Sequence, residues 1–163
     1  MRDCSTMLPI YGLADWPGPV MIGDWGWENG RLVTVGIAHG DPTGDGPAVQ
    51  VATTVHDPGT AVASLRMASA EAARHEDDAL RRQHEADVAP SGQVDLLVDS
   101  APVRFELWNA GDRWWAATAY AGYGLVVEAR RTAVGPLALV RVHDIEPYFA
   151  GRRASLRARR DEA

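Results

Sequence analysis

The stretch QVDLLVDSAPVRFELWNAGDRWWAATAYAGYGLVVEAR, residues 93 to 130, constrains the fold more than any other part of the chain. It consists of alternating runs near 93 to 99, 103 to 109, 112 to 120 and 123 to 130, separated by turn signals at Ser100 to Pro102, Ala110-Gly111 and Ala121-Gly122. Such a pattern predicts an antiparallel meander. Opposed residues of an antiparallel pair share a face, so each turn sets a register. Val98 is then expected opposite Val103, Leu96 opposite Phe105, Leu107 opposite Trp114, and Tyr120 opposite Tyr123. One side becomes apolar from Val94 and Leu96 through Phe105, Leu107, Trp114 and Ala116 to Leu125 and Val127. That is a core face, and independent turns agree on it.

The opposite side carries Asp95, Leu97, Arg104, Glu106, Trp108, Arg113, Trp115, Ala117, Val126 and Glu128, with Trp108 expected across from Arg113 and Trp115 across from Glu128. Large indoles are unusual on a sheet face that only meets water. Nearer the start, Asn29-Gly30 separates alternating runs, and Asn-Gly tolerates the positive φ angles of a tight hairpin turn. A hairpin of 20 to 28 and 31 to 39 follows, with Val33, Val35 and Ile37 on one face and Trp25, Trp27 and Leu32 on the other. If both units join one sheet, Trp25, Trp27, Trp108 and Trp115 share its second side, together with Arg104, Arg113, Glu106 and Glu128. Trp and Arg are enriched at interface hot spots. Three occupants fit such a face: the chain's own LPIYGLADWPGP segment, a protein partner or second copy, or a small organic ligand in a cleft.

The remaining segments complete an α+β reading. AVQVATTV, 48 to 55, alternates as a further strand, and LALVRVH resembles a last one. Between them, Thr60 is placed to cap a long helix of about 60 to 86, rich in Ala, Arg and Glu, whose apolar stripe thins beyond Ala73. Asp144 is placed to cap a C-terminal helix weakened by Gly151. The expected architecture is a largely antiparallel sheet of about seven or eight strands with both helices packed on one face. That order of elements is similar to PsbP-like α+β proteins, a likeness of architecture that carries no residue-level function. The 163 residues fit one domain, with mobility expected at the extreme N-terminus and in the Arg-rich C-terminal tail.

Charge and composition exclude several functions. A net charge of −6 makes nucleic-acid binding unlikely, since phosphate contacts need cations that displace condensed counterions. The halves differ: residues 1 to 100 hold 6 Arg against 15 acids, and residues 101 to 163 hold 10 against 7. Every one of the 16 basic residues is Arg, which removes Schiff-base chemistry and the Walker lysine. Cys4 is alone, so no internal disulfide forms, as suits a reducing cytoplasm. No apolar run approaches the roughly 18 residues of a membrane span, and no secretory signal is legible. A cytoplasmic protein without membrane attachment is the expectation.

Chemical motifs are present only in part. In HGDPTGDG, Asp41, Thr43, Asp45 and Gly46 match the early positions of a calcium loop, but Ala52 stands where the closing Glu belongs. RHEDDAL starts like the zinc signature H-E-x-x-H and has Ala79 at the second histidine. Four histidines precede an acid, His56-Asp57, His75-Glu76, His84-Glu85 and His143-Asp144, yet neighbours on a strand point to opposite faces and form no dyad. No nucleophile elbow or dinucleotide-type glycine loop occurs. GRRASLRARR gathers Arg without an aromatic platform for bases and reads as a solvated helix. No catalytic residue, metal or cofactor is expected. The sequence favours a non-enzymatic interaction or accessory protein that binds a partner or itself through the Trp/Arg face. The alternative is a small-molecule binder or enzyme using that face as a cleft.

Overall fold

Three tight turns define the sheet. Asn29-Gly30, Asp99-Ser100 and Ala121-Gly122 each have positive φ at both central residues, the left-handed pair that matches the twist of the flanking strands. The computed structural model describes residues 8–40, 47–63, 89–110, 112–130 and 137–145. They form β1 (Ile10–Leu13), β2 (Val20–Glu28), β3 (Arg31–Gly40), β4 (Pro47–Thr54), β5 (Gly92–Val98), β6 (Ala101–Ala110), β7 (Arg113–Tyr120), β8 (Tyr123–Arg130) and β9 (Ala138–Val142). A helix, α1, is described over 58–63. All nine strands join one sheet in the order β1-β9-β5-β6-β7-β8-β4-β3-β2, antiparallel except where β5 meets β9.

This order forces the sheet to curl. β1 and β2 are its two edges, and in a flat sheet the eight spacings between them would span about 38 Å. The chain from Leu13 to Val20 extends at most about 25 Å. The edges must therefore approach one another, giving a half-barrel. β1 reaches across the concave side: the Leu13 backbone N–H donates to His39 Nε2 of β3 at 3.0 Å, and Tyr11 meets Tyr120 of β7 edge to face at 6.0 Å. Trp16 adds a hydrogen bond from its indole N–H to the Gly40 carbonyl at 2.8 Å.

Curling gives the two faces different cores. The concave side buries Val49, Val51, Leu96, Val98, Phe105, Leu125, Val127 and Leu139, joined near β1 by Leu8, Ile10, Val35 and Ile37. The outer side holds a separate cluster of Val62, Trp108, Trp115, Ala117 and Val126. Val62 comes from α1. Asp57 caps that helix, its carboxylate accepting from the Thr60 N–H at 3.1 Å, with Pro58 at the first helical position, where its lack of an N–H costs nothing. Thr60 is therefore inside the helix and not its cap.

The α+β expectation is corrected. The described residues are almost entirely strands with one short helix, and no long or C-terminal helix covers a face among them. The physical reason is the curl: an open sheet needs a second layer over its apolar face, whereas this one folds over its own. The likeness to PsbP-like proteins falls with the open sheet. Of the helix expected over 60 to 86, only the part up to residue 63 is described, and the C-terminal helix and both termini lie outside the described residues. The strand number is also higher than expected, because β1 adds a strand at the N-terminal edge to the seven or eight that the alternation predicts.

Two registers slip by two residues. Leu96 pairs with Val103, and Trp108 pairs with Trp115 in place of Arg113. The Trp115 to Glu128 and Tyr120 to Tyr123 pairings stand as expected. A slip of two preserves every side chain's face, so Phe105 and Leu107 still point inward and Trp108 outward.

Candidate functional site

On the outer face, a groove of about 380 Å³ runs along β4 between β3, β8 and α1. Strand alternation builds its floor. Gln50, Ala52 and Thr54 point outward from β4, and their partners across β8 are Glu128, Val126 and Gly124. One end therefore pairs a carboxamide with a carboxylate, the middle is the apolar pair Ala52 and Val126, and the far end is Thr54, whose hydroxyl meets that of Thr34 at 3.1 Å. Thr54 lies four positions beyond Gln50, about 13 Å along the strand. Thr60 and Ala61 of α1 form a wall, and Trp27, Glu28 and His56 close the far rim. His56 Nε2 lies 2.9 Å from Glu28 Oε1, both side chains exposed.

Gly124 sets how closely the start of α1 can approach. A Cβ there would stand 2.8 Å from the His56 carbonyl oxygen and 2.9 Å from Thr54 Cγ2, below any real contact. Gly124→Ala is expected to displace the 54–58 connection and to cost about 1–3 kcal/mol, as overpacking does. Urea denaturation checks this, and an unchanged midpoint would contradict the close approach.

The eight candidate residues fall into separate places. Trp108 and Trp115 are on the outer face and are buried, with 4% and 0% of their surface exposed. Arg113 forms an ion pair with Glu128, whose side chain is only 12% exposed. Arg104 is held by Asp95 through two hydrogen bonds, Nε at 2.6 Å and Nη2 at 3.1 Å. This exposed pairing holds the Asp95 carboxyl below its usual range, and Arg104 does not line the groove. Glu106 is exposed on the same face, opposite Ala117. Trp25 and Trp27 part company, because register shifts lie between Ile22 and Trp25 and between Gly26 and Trp27. Trp25 pairs with Val35 and packs on the inner cluster, whereas Trp27 remains 62% exposed at the groove. The groove thus retains Glu128 and Trp27 from that set and adds Gln50, Thr34, Thr54 and His56. The alternation of AVQVATTV places Gln50, Ala52 and Thr54 on one face and was a signal for three of its lining residues.

Elsewhere, residues 41 to 46 of the calcium-like loop, the RHEDDAL segment and the Arg-rich tail lie outside the described residues. Among the described residues, no group of three or more His, Cys, Asp or Glu is arranged to hold a metal. His56 and Asp57 act separately, the first at Glu28 and the second as a helix cap. No helix among the described residues is long and apolar enough to cross a membrane. No protein-family model matches the chain, and no significant match was found among curated proteins or solved structures.

Proposed function

We propose that this is a small-molecule-binding protein whose ligand lies in the outer groove along β4. The observation that carries this reading is the groove itself: an apolar floor at Ala52 and Val126, a few polar groups at its two ends, and a size within the range of ligand sites. Trp27 supports it as an exposed, rigid aromatic surface beside the opening. Docking of a partner or a second copy on a Trp/Arg face receives less support, because that mode needs indoles that a partner can reach and Trp108 and Trp115 are buried. The cytoplasm is the proposed setting, consistent with the single cysteine.

Amide resonances of the protein, followed while a library of small neutral, cationic and anionic organic molecules is added at millimolar concentration, test the reading. Expected are shifts confined to Thr34, Ala52, Thr54 and Val126 and their neighbours, reduced in Trp27→Ala. Shifts mapping to another surface, or none from any compound, would overturn it.

A further inference from the structure

Resting on the ligand-binding reading above, we propose that the groove selects an organic cation: an ammonium, amidinium or guanidinium group on an apolar, flat body. The charged head lies at Gln50 and Glu128, and the body runs over Ala52 and Val126 toward Thr54 and Trp27.

The charges along the lining carry this. Among the described residues its acids are Glu28 and Glu128, it also includes His56, and no Arg lines it. Arg113, which approaches Glu128, is outside the lining and holds Oε1 of that carboxylate from β7. An anionic head placed against the described lining would face two carboxylates, and the basic groups beside them, His56 and Arg113, are already held by Glu28 and Glu128, so phosphate and carboxylate ligands are disfavoured.

The two acids are not equivalent. Glu28 is 58% exposed and shares His56, so water and salt screen it. Glu128 is 12% exposed, and a carboxylate withdrawn from water interacts more strongly with a cation brought to it. Gln50 stands directly across from it on β4, and its carboxamide oxygen offers a second acceptor to the same head. A head with several N–H donors satisfies both groups at once. The apolar middle then matches a hydrocarbon or aromatic body, and the distance of about 13 Å to Thr54 sets its reach. At the far end the open face of Trp27 covers a ring.

Isothermal calorimetry with three probes of like shape separates the possibilities: 4-phenylbutylammonium, 4-phenylbutan-1-ol and 4-phenylbutanoate. The ammonium is expected to bind about tenfold more tightly than the alcohol, the size of a charge-assisted hydrogen bond, with the carboxylate weakest. Glu128→Gln should bring ammonium and alcohol to equal affinity. Should that variant fail to fold because Arg113 loses its partner, the double change Glu128→Gln with Arg113→Gln removes both charges and is expected to show the same loss of discrimination. Equal or stronger binding of the alcohol or the carboxylate to the unaltered protein would overturn the cation assignment and leave the ligand-binding reading standing. Persistence of the ammonium preference without Glu128 would overturn the placement of the head. If none of the three binds and the resonance titration also finds no ligand at the groove, both readings fail together.

Discussion

Trp115→Ala should cost about 3–5 kcal/mol of folding stability, the usual range for deleting a buried aromatic side chain. The indole has no exposed surface and packs with Trp108, Val62, Ala117 and Val126. A domain of this size is stable by only about 5–15 kcal/mol, so the loss would be a large fraction of the total. The cluster also joins α1 to β7 and β8, so the α1 wall of the groove should loosen along with it. Trp27→Ala is the control. It removes the same residue type, yet that indole is 62% exposed, and its loss should change stability by no more than about 0.5–1 kcal/mol. Chemical denaturation of both variants measures the difference. A cost below about 1 kcal/mol for Trp115→Ala would mean the outer cluster is not a packed core.

That contrast shows what the residue pattern reveals and what it hides. The side-chain period in a strand is two, so alternation from Val94 to Val127 assigns Phe105 to one face and Trp108 and Trp115 to the other even though two registers are displaced. Asn29-Gly30 was legible because Asn and Gly are among the few residues that readily accept positive φ, whereas Ala121 adopts it at a cost and its turn is legible only from the alternation on either side and from Gly122. What covers a face is another matter. Burial of Trp115 depends on α1 folding back over β8, an arrangement permitted by the missing side chain at Gly124 and by the Asp57 cap. Trp25 and Trp27 look like same-face neighbours until the irregularities of β2 separate them, and Gly23 and Gly26, residues that often mark bulges, were the hint. β1 was hidden for a different reason. Ile10–Leu13 is short and follows Pro9, and its strand character comes from pairing with β9, which lies far along the chain. Once β1 is missed, nothing in the local pattern reveals that the sheet must curl.

Acid should open the molecule at that same closure, through His39. The alternation of RLVTVGIAH places His39 on the inner face with Val35 and Ile37, where it is 1% exposed. Its Nε2 accepts from the Leu13 N–H, which requires the neutral ring. The other nitrogen, Nδ1, is buried without a hydrogen bond of good geometry, and the Val49 backbone beside it offsets only part of the cost of charging the ring. Burial therefore pushes the imidazole from its ordinary 6.5 down to about 4. The unfolded chain takes up this proton first as the pH falls, so the group disfavours folding in acid. Stability is insensitive to this group above about pH 6.5, declines as the pH drops from there, and reaches its full loss of about 3 kcal/mol below about pH 4. Protonation also turns Nε2 into a donor facing the donor of Leu13, so β1 should detach before the rest of the sheet. The measurement is a set of urea denaturation curves from pH 8 to 4 for the unaltered protein and for His39→Gln, the difference between them isolating this residue from the carboxylates. A difference that does not narrow as the pH falls through this window would show that the buried ring is not the source. Hydrogen exchange locates the event: with His39 titrating in the interior, the Leu13 amide should lose protection at pH 5 while amides of β6 to β8 keep theirs.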